Sequence, residues 1–134
     1  MKPEAILHLR KAQQVLATAK NLVADGYDNA AARDAYIATY HAAQAYIVDH
    51  AGKAAKTHNG AHSQFAQLAT LEQRITPELL SFLPTAYNLK AVVDYEFGEG
   101  SNIPHDRAAA AVETASRFID CIADLLPIPT AASR

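Results

Sequence analysis

The sequence predicts an all-α fold, an up-and-down bundle of four main helices with one or two short extra helices. Apolar residues recur every three or four positions over long stretches, which is the period of an amphipathic helix. Alanine supplies much of the 50% of residues that are apolar, and it favours closely packed helices over a sheet of β-branched residues. Short connections between long helices favour antiparallel neighbours. The 134 residues suit one domain, predicted over residues 1–126, with a C-terminal tail over residues 127–134.

The first two predicted helices are long. Pro3 suits the first turn of the first helix, and Gly26 ends it because glycine adopts positive φ without strain. Asp28 or Asn29 is expected to cap a second helix, which runs to about residue 51 and stops at Gly52. The apolar stripe of the first helix consists of Ile6, Leu9, Ala12, Leu16, Ala19 and Val23.

Two further helices are predicted between residues 57 and 96. A cap within residues 57–59 starts a shorter third helix, and the Thr-Pro-Glu at residues 76–78 starts a fourth. Pro84 lies inside the fourth pattern and is expected to kink or split that helix. The apolar residues assigned to the third helix are Phe65, Leu68 and Leu71.

The last predicted helix follows a break in the chain around Gly98 and Gly100. Pro104 opens this helix, and Pro127 and Pro129 end it. Its apolar stripe consists of Val112, Ala115, Ile119, Ile122 and Leu126.

Charge and hydropathy exclude several classes of function. The formal net charge of −2 provides no overall attraction to nucleic acid or to an anionic membrane, so any RNA contact requires a local basic cleft. The single cysteine excludes an intrachain disulfide and fits a reducing compartment. No apolar run is long enough to span a bilayer, and the N-terminal residues lack the apolar stretch of a signal peptide. We therefore expect a soluble cytoplasmic protein without a membrane partner.

The second helix carries a histidine among alanines and tyrosines. His41 shares a helix face with Asp34, while Tyr36 and Tyr40 line the adjacent stripe. On spacing alone a structural interpretation is favoured, in which the tyrosines are core or interface rings. His41 would then be held by a hydrogen bond to Asp34 or to a neighbouring helix.

The segment Lys-Thr-His-Asn-Gly-Ala-His, residues 56–62, allows two interpretations. His58 and His62 are four residues apart and, with His41, could ligate a metal ion. A metal site is disfavoured because the chain has no His-Glu-x-x-His motif and its cysteine lies elsewhere, so we expect neither metal nor cofactor. The preferred interpretation is an anion-binding corner, formed by Lys56, His58 and the free N–H groups at the start of the third helix.

The segment at residues 90–95 also combines charge with an aromatic ring. Lys90 and Asp94 are four residues apart and can form an ion pair on one helix face, and Tyr95 follows immediately. An exposed ion pair at a helix end and a role in a binding site both remain open.

Together these three segments resemble the small stand-alone HEPN proteins (higher eukaryotes and prokaryotes nucleotide-binding). Residues 35–43 are similar to the family's second helix, Arg-Ala-Tyr-Tyr-Ala-x-Phe-His-Ala-Ala, with Arg33 one place upstream of the expected arginine. Residues 56–60 match the family's Lys-Thr-His-x-Gly, and Phe65 fits its downstream aromatic residue. Residues 90–95 match Arg-x-x-x-Asp-Tyr with lysine in place of arginine.

The resemblance implies an all-α bundle, a homodimer, and a central cleft lined by the second helix and the Asp-Tyr segment. Family members occur in toxin–antitoxin pairs with a minimal nucleotidyltransferase, so such an antitoxin partner and an RNA or nucleotide ligand are implied. Many are metal-independent ribonucleases with an arginine, four to six further residues and then a histidine. In that motif the histidine moves the proton of the 2′-hydroxyl and the arginine holds the phosphate.

This chain departs from the ribonuclease motif, because none of its arginines is followed by a histidine at that spacing. Lys90 can bind phosphate as a point charge but cannot make the planar two-pronged contact of arginine. We therefore predict a toxin-like or nucleotide- or RNA-binding module. The alternatives are an active metal-independent ribonuclease toxin and a purely structural dimeric protein. The candidates for catalysis are His41 and His58. The predicted ligand-binding residues are Arg33, Tyr36, Tyr40, His41, Lys56, His58, Lys90, Asp94 and Tyr95.

Overall fold

The computed structural model describes residues 2–96 and 102–127, and every regular element in these ranges is an α-helix. The all-α prediction is confirmed. Within these ranges no helix is both long enough and apolar enough to cross a membrane. The helices are α1 (Pro3–Ala24), α2 (Asp28–Ala51), α3 (His58–Ala69), α4 (Pro77–Tyr95) and α5 (His105–Leu125).

Helix α2 is the central element, because each of the other four helices packs against it. Thirteen of its 24 residues are buried, and seven of these are alanines. Alanine lets neighbouring backbones approach closely and has the highest intrinsic helix propensity. The large buried side chains of α2 include Tyr36, Tyr46 and Ile47, which fill the spaces between its neighbours.

Most helix ends follow the local signals in the sequence. Pro3 is the first residue of α1, and Gly52 ends α2 with a φ of 91°, a left-handed conformation that favours glycine. The hydroxyl of Thr57 accepts a hydrogen bond from the Gly60 N–H at the start of α3. The hydroxyl of Thr76 accepts one from the Leu79 N–H at the start of α4. These ends are predictable because each depends on contacts within a single turn.

The cap predicted for α2 is wrong. Tyr27 occupies the N-cap position, with no side-chain hydrogen bond to the helix. Asp28 instead lies 2.7 Å from Nδ1 of His105, and the Asn29 side chain accepts the Ile103 N–H at 2.8 Å. Both polar side chains bind the start of α5, and this tertiary contact replaces the local cap.

Of the two outcomes expected at Pro84, a kink or a split, the split is not observed, because α4 is one helix from Pro77 to Tyr95. Pro84 is exposed, so the backbone carbonyl that loses its helical partner there can turn toward water. The expected break at Gly98 and Gly100 lies outside the described residues, and so do residues 128–134 of the predicted tail.

Helix α3 is shorter than the apolar spacing predicts. It ends at Ala69, and Leu71 lies beyond it with 86% of its surface exposed. The chain turns after Thr70, whose hydroxyl donates to the Ala66 carbonyl, and Ile75 enters the core instead. The apolar position predicted at Leu71 is therefore wrong, because the turn toward α4 overrides the helical period.

The Gln44 side chain fastens the α2–α3 connection to α2. Its Oε1 accepts the Ala55 N–H and its Nε2 donates to the Ala55 carbonyl, both at 2.9 Å. Nε2 also lies 2.9 Å from the Tyr40 hydroxyl. Because Gln44 is buried, these bonds satisfy an amide that would otherwise be costly inside the protein. They set where α3 begins.

We predict that Gln44→Ala lowers the free energy of unfolding by about 2–3 kcal/mol, because it removes three hydrogen bonds and leaves the Ala55 peptide without its partner. Urea denaturation of the purified chain measures this loss. Gln67→Ala, on the exposed surface of α3, is the matched control and should change the value by less than about 0.5 kcal/mol. Equal losses in the two variants would show that the Gln44 contacts contribute nothing specific.

Candidate functional site

Five aromatic or imidazole rings meet where α2, α3 and α4 come together. This ring cluster consists of Tyr36 and Tyr40 from α2, His58 and His62 from α3, and Tyr87 from α4. The centroids of Tyr40 and His58 are 4.5 Å apart and the two rings are stacked. Tyr87 meets Tyr36 at 5.2 Å and His62 at 5.3 Å, both edge to face. These are the geometries that aromatic quadrupoles favour.

The hydroxyl of Tyr36 joins the two histidines of the ring cluster. Its oxygen lies 2.6 Å from Nδ1 of His58 and 3.0 Å from Nε2 of His62. The histidines are four residues apart on α3, so one helix face presents both rings to α2. Tyr36 is fully buried, and the two imidazoles satisfy its hydroxyl.

Burial shifts the ionisation of all three side chains toward the neutral form. It raises the pKa of the Tyr36 hydroxyl, with neighbouring tyrosines adding to the effect. It also lowers the pKa of His58, with a further contribution from the Lys90 charge. The pKa of His62 is lowered by burial and then by His58. At neutral pH the three groups therefore exchange hydrogen bonds as neutral species.

A charged edge borders the ring cluster and consists of Arg33, Lys90 and Asp94. The Lys90 ammonium lies 2.7 Å from Oδ2 of Asp94, and the Arg33 Nε lies 3.1 Å from Oδ1. The hydrogen bond between Lys90 and Asp94 raises the pKa of the lysine and lowers that of the carboxyl. The Lys90 ammonium also lies 5.8 Å from the Tyr87 ring centroid and 5.5 Å from that of Tyr95. One carboxylate thus holds two cations beside aromatic rings.

The ion pair predicted between Lys90 and Asp94 is observed, and Asp94 is an exposed residue at the end of α4, but the pair does not stand alone. Only 13% of the Lys90 side chain is exposed, because the ammonium is folded over aromatic rings. Arg33, which belongs to a different helix, completes the contact.

The structure brings seven of the nine predicted binding residues together in the ring cluster and its charged edge; of the other two, His41 borders the cluster, where its ring meets that of Tyr40 edge to face at 5.6 Å. His41 turns toward α1, where its Nδ1 lies 3.1 Å from Nδ1 of His8. The neighbouring-helix contact is therefore observed, not the one to Asp34. Lys56 is exposed in the α2–α3 connection. The seven that come together are Arg33, Tyr36, Tyr40, His58, Lys90, Asp94 and Tyr95.

Two members of the ring cluster are absent from the predicted binding set. From the sequence His62 is a candidate metal ligand only, and its spacing from His58 is the signal that places both rings on one face. Tyr87 lies three residues before Lys90 and seven before Asp94, a spacing that aligns all three on one face of α4. That spacing could have revealed Tyr87 from the sequence.

Metal-ligating side chains are dispersed over the described part of the chain. Within residues 2–96 and 102–127, no three histidine, cysteine, aspartate or glutamate side chains are grouped so that they could hold a metal ion. Cys121 lies on α5, where its sulfur is 3.5 Å from the Arg74 carbonyl.

Comparison with known families finds one match. The sequence model described as HEPN domain matches residues 5–125 of the chain. The matched range runs from the first turn of α1 to the end of α5 and includes the whole ring cluster. No curated protein matches the chain.

We predict that stability falls between pH 7 and pH 5, in part through His41. Burial, then His8 and then Lys11, lower the pKa of His41 to about 4, well below its unfolded value. The unfolded chain therefore binds more protons below about pH 6.5, and stability is lost as the pH falls toward the folded pKa. After solvent screening the His41 share is roughly 1 kcal/mol. Urea denaturation of His41→Gln at both pH values should show a smaller loss than wild type.

His50→Gln is the control for this experiment, because the His50 ring is exposed and bonds a carbonyl of its own helix. It should retain the full wild-type dependence on pH. A His41→Gln variant with the same dependence would contradict the assignment.

Proposed function

Because this chain belongs to the HEPN-domain family, we propose that it is a nucleotide- or RNA-binding module whose site is formed by the ring cluster and the charged edge. In this proposal four main helices form an up-and-down bundle that supports the site. The ligand's phosphate binds at Arg33 and Lys90, and a base stacks against an exposed ring. The observation that carries the proposal is the pair of cations held by one carboxylate beside Tyr95.

The charges at the edge favour an anionic ligand. Arg33 and Lys90 contribute two positive charges and Asp94 one negative charge, in a chain whose formal net charge is −2. Among the described residues Arg33 binds Asp94 through Nε alone, which leaves the terminal guanidinium nitrogens for another acceptor. Nearly half of the Arg33 side chain is exposed. A phosphate can thus approach Arg33 without first breaking its contact with Asp94.

The aromatic surface favours a nucleotide over a simple inorganic anion. Tyr95 is 70% exposed, and its ring lies near the Lys90 ammonium. Stacking of a base on an aromatic ring stabilises single-stranded nucleic acid without requiring a particular sequence. Tyr95 and Lys90 thus supply the two components of that recognition, a ring for the base and a cation for the phosphate.

Asp94 places a limit on affinity. Its carboxylate orients Lys90 and Arg33 but also repels an incoming phosphate. Binding is therefore expected to be moderate in strength and sensitive to salt, as for ligands held mainly by phosphate contacts.

The two neutral histidines in the ring cluster support a second candidate, metal-independent cleavage of RNA as in a ribonuclease toxin. A purely structural dimer would leave the charged edge without a role. The family resemblance further supports a homodimer, a nucleotidyltransferase-type antitoxin partner and a cytoplasmic location, and these remain parts of the proposal.

We predict that Lys90→Ala weakens binding of short single-stranded RNA roughly tenfold, because it removes a phosphate contact. Asp94→Asn should instead tighten binding several-fold, because it removes the competing carboxylate. Fluorescence anisotropy with a labelled RNA that carries 2′-O-methyl groups measures affinity separately from cleavage. The salt dependence of Lys90→Ala should also be shallower than that of wild type.

Arg117→Ala is the matched control, because this exposed arginine pairs with Glu78 away from the site. It should bind RNA as wild type does, and circular dichroism should show that all three variants are folded. If Lys90→Ala bound as tightly as Arg117→Ala, the proposed site would be wrong.

A further inference from the structure

An open cavity of about 410 Å³ lies between α5 and the connection from α3 to α4. No residue of the ring cluster or the charged edge lines it. Its walls combine four charged side chains with a thiol and one apolar side chain. The lining residues are Arg74, Arg117, Asp120, Cys121, Asp124 and Leu125. Cavities of this volume accommodate small organic molecules.

The two arginines of this cavity are neutralised by carboxylates of their own. Nη2 of Arg74 lies 2.7 Å from Oε1 of Glu72, and its Nε lies 3.0 Å from the same oxygen. Arg117 pairs with Glu78 of α4. Neither arginine therefore gives the cavity an excess of positive charge.

The two aspartates of the cavity keep their negative charge unbalanced. Among the residues of the described ranges, Asp120 and Asp124 take part in no ion pair. Both are exposed, and they are four residues apart on α5, so their carboxylates project from one face of the helix. Two like charges on one helix face repel each other, and a cation bound between them relieves that repulsion. The cavity therefore favours a cationic ligand.

The wall between these charges is neutral. The Cys121 thiol donates to the Arg74 carbonyl, with 3.5 Å between sulfur and oxygen. Burial raises the pKa of the thiol and the Asp124 carboxylate raises it further, so the sulfur is protonated at neutral pH. A protonated thiol behaves as a small apolar group. Cys121 and Leu125 thus suit the hydrocarbon part of a ligand.

A buried tyrosine hydroxyl beside the cavity has no partner in the described part of the chain. Tyr46 of α2 is 3% exposed, and its ring stacks on that of His50 with 4.0 Å between the centroids. Within residues 2–96 and 102–127 its hydroxyl makes no hydrogen bond, and no fully buried polar side-chain atom there lacks one. Solvent therefore reaches the Tyr46 oxygen.

The groups that act on the Tyr46 hydroxyl show which way it faces. Burial raises its pKa, Glu72 raises it further, Arg74 lowers it, and Cys121 also contributes. Arg74 and Cys121 both line the cavity, so the hydroxyl faces the inner wall. A ligand in the cavity can supply the missing hydrogen bond. Because this end is enclosed by buried rings, a neutral polar group suits it better than a second charge.

We propose that this cavity binds a small primary amine whose apolar body carries a hydroxyl group at the end opposite the nitrogen. The ammonium binds Asp120 and Asp124. The apolar body packs on Cys121 and Leu125, and its hydroxyl exchanges a hydrogen bond with Tyr46. An ammonium has three N–H donors and no acceptor, which matches a pair of carboxylates. This site shares no residue with the proposed RNA-binding surface and does not depend on that function.

Three compounds of similar size test the proposal. Tyramine carries both polar ends, phenethylamine lacks the hydroxyl, and 4-ethylphenol lacks the amine. NMR titration of the ¹⁵N-labelled full chain should give tyramine a dissociation constant on the order of 1 mM or tighter. Phenethylamine should bind several-fold more weakly and 4-ethylphenol at least roughly tenfold more weakly. Equal affinity for tyramine and 4-ethylphenol, or no binding of tyramine, would overturn the proposal.

Substitutions in the cavity locate the site. Asp120→Asn and Asp124→Asn should each weaken tyramine binding several-fold. Tyr46→Phe, which keeps the ring, should weaken tyramine binding but leave that of phenethylamine unchanged, whereas a damaged fold would weaken both. Glu113→Gln, at an exposed acidic position of α5 outside the cavity, is the matched control and should bind both compounds as wild type does. Wild-type affinity in all the cavity variants would show that the compounds bind elsewhere.

The reactivity of Cys121 gives an independent measure of occupancy. It is the single cysteine of the chain, so its rate of reaction with an aromatic disulfide reagent, which leaves amines unmodified, reports on this cavity alone. Saturating tyramine should slow the reaction several-fold, and 4-ethylphenol at the same concentration should not. Binding of tyramine without protection of Cys121 would place the ligand outside the cavity and overturn the proposal.

Discussion

The alanine surface of α2 limits how the other helices can be arranged. With little more than a methyl group at seven of its buried positions, α2 admits neighbouring backbones closely on several sides. Large side chains are then accommodated only where a neighbour leaves room, and Tyr36 occupies such a space between α3 and α4. The ring cluster is thus a consequence of close packing around one helix, and its position depends on that packing.

Burying a central helix creates a second requirement, because the polar groups on it must find partners. Thr39 meets this locally through the Ala35 carbonyl in its own helix. Gln44 and Tyr36 meet it by reaching the α2–α3 connection and α3 itself. The same hydrogen bonds that avoid an uncompensated burial cost therefore fix the register of α3. The stability of the core and the geometry of the site depend on one set of contacts.

The sequence predicts what local interactions determine and misses what distant segments determine. Gly52, Thr57 and Thr76 act within a turn, and the helix ends that they predict are observed. Apolar spacing identifies the helices, but it does not show which neighbour a face meets. It therefore could not predict that His41 contacts His8 or that Asp28 binds the start of α5.

The candidate site shows the same division. The spacing of Lys90 and Asp94 indicates their pairing, whereas the contribution of Arg33 comes from 61 residues away in the chain. The partial burial of Lys90 involves Tyr87, which lies on the same face of α4, and Tyr87 could therefore have been predicted from the spacing along that helix. The shared hydroxyl of Tyr36 is a three-body contact between two helices, and no pattern along a single helix encodes it.

The double hydrogen bond between Gln44 and Ala55 has a consequence for how this sequence can change. The Gln44 amide forms hydrogen bonds with the backbone N–H and carbonyl of residue 55, and neither bond involves the side chain of that residue. Every amino acid except proline offers both of these backbone groups. Substitutions at residue 55 are constrained by size and by the need for an N–H, whereas position 44 requires a side chain with both a donor and an acceptor at the right reach. Residue 55 in the α2–α3 connection can therefore be substituted while the start of α3 keeps its position.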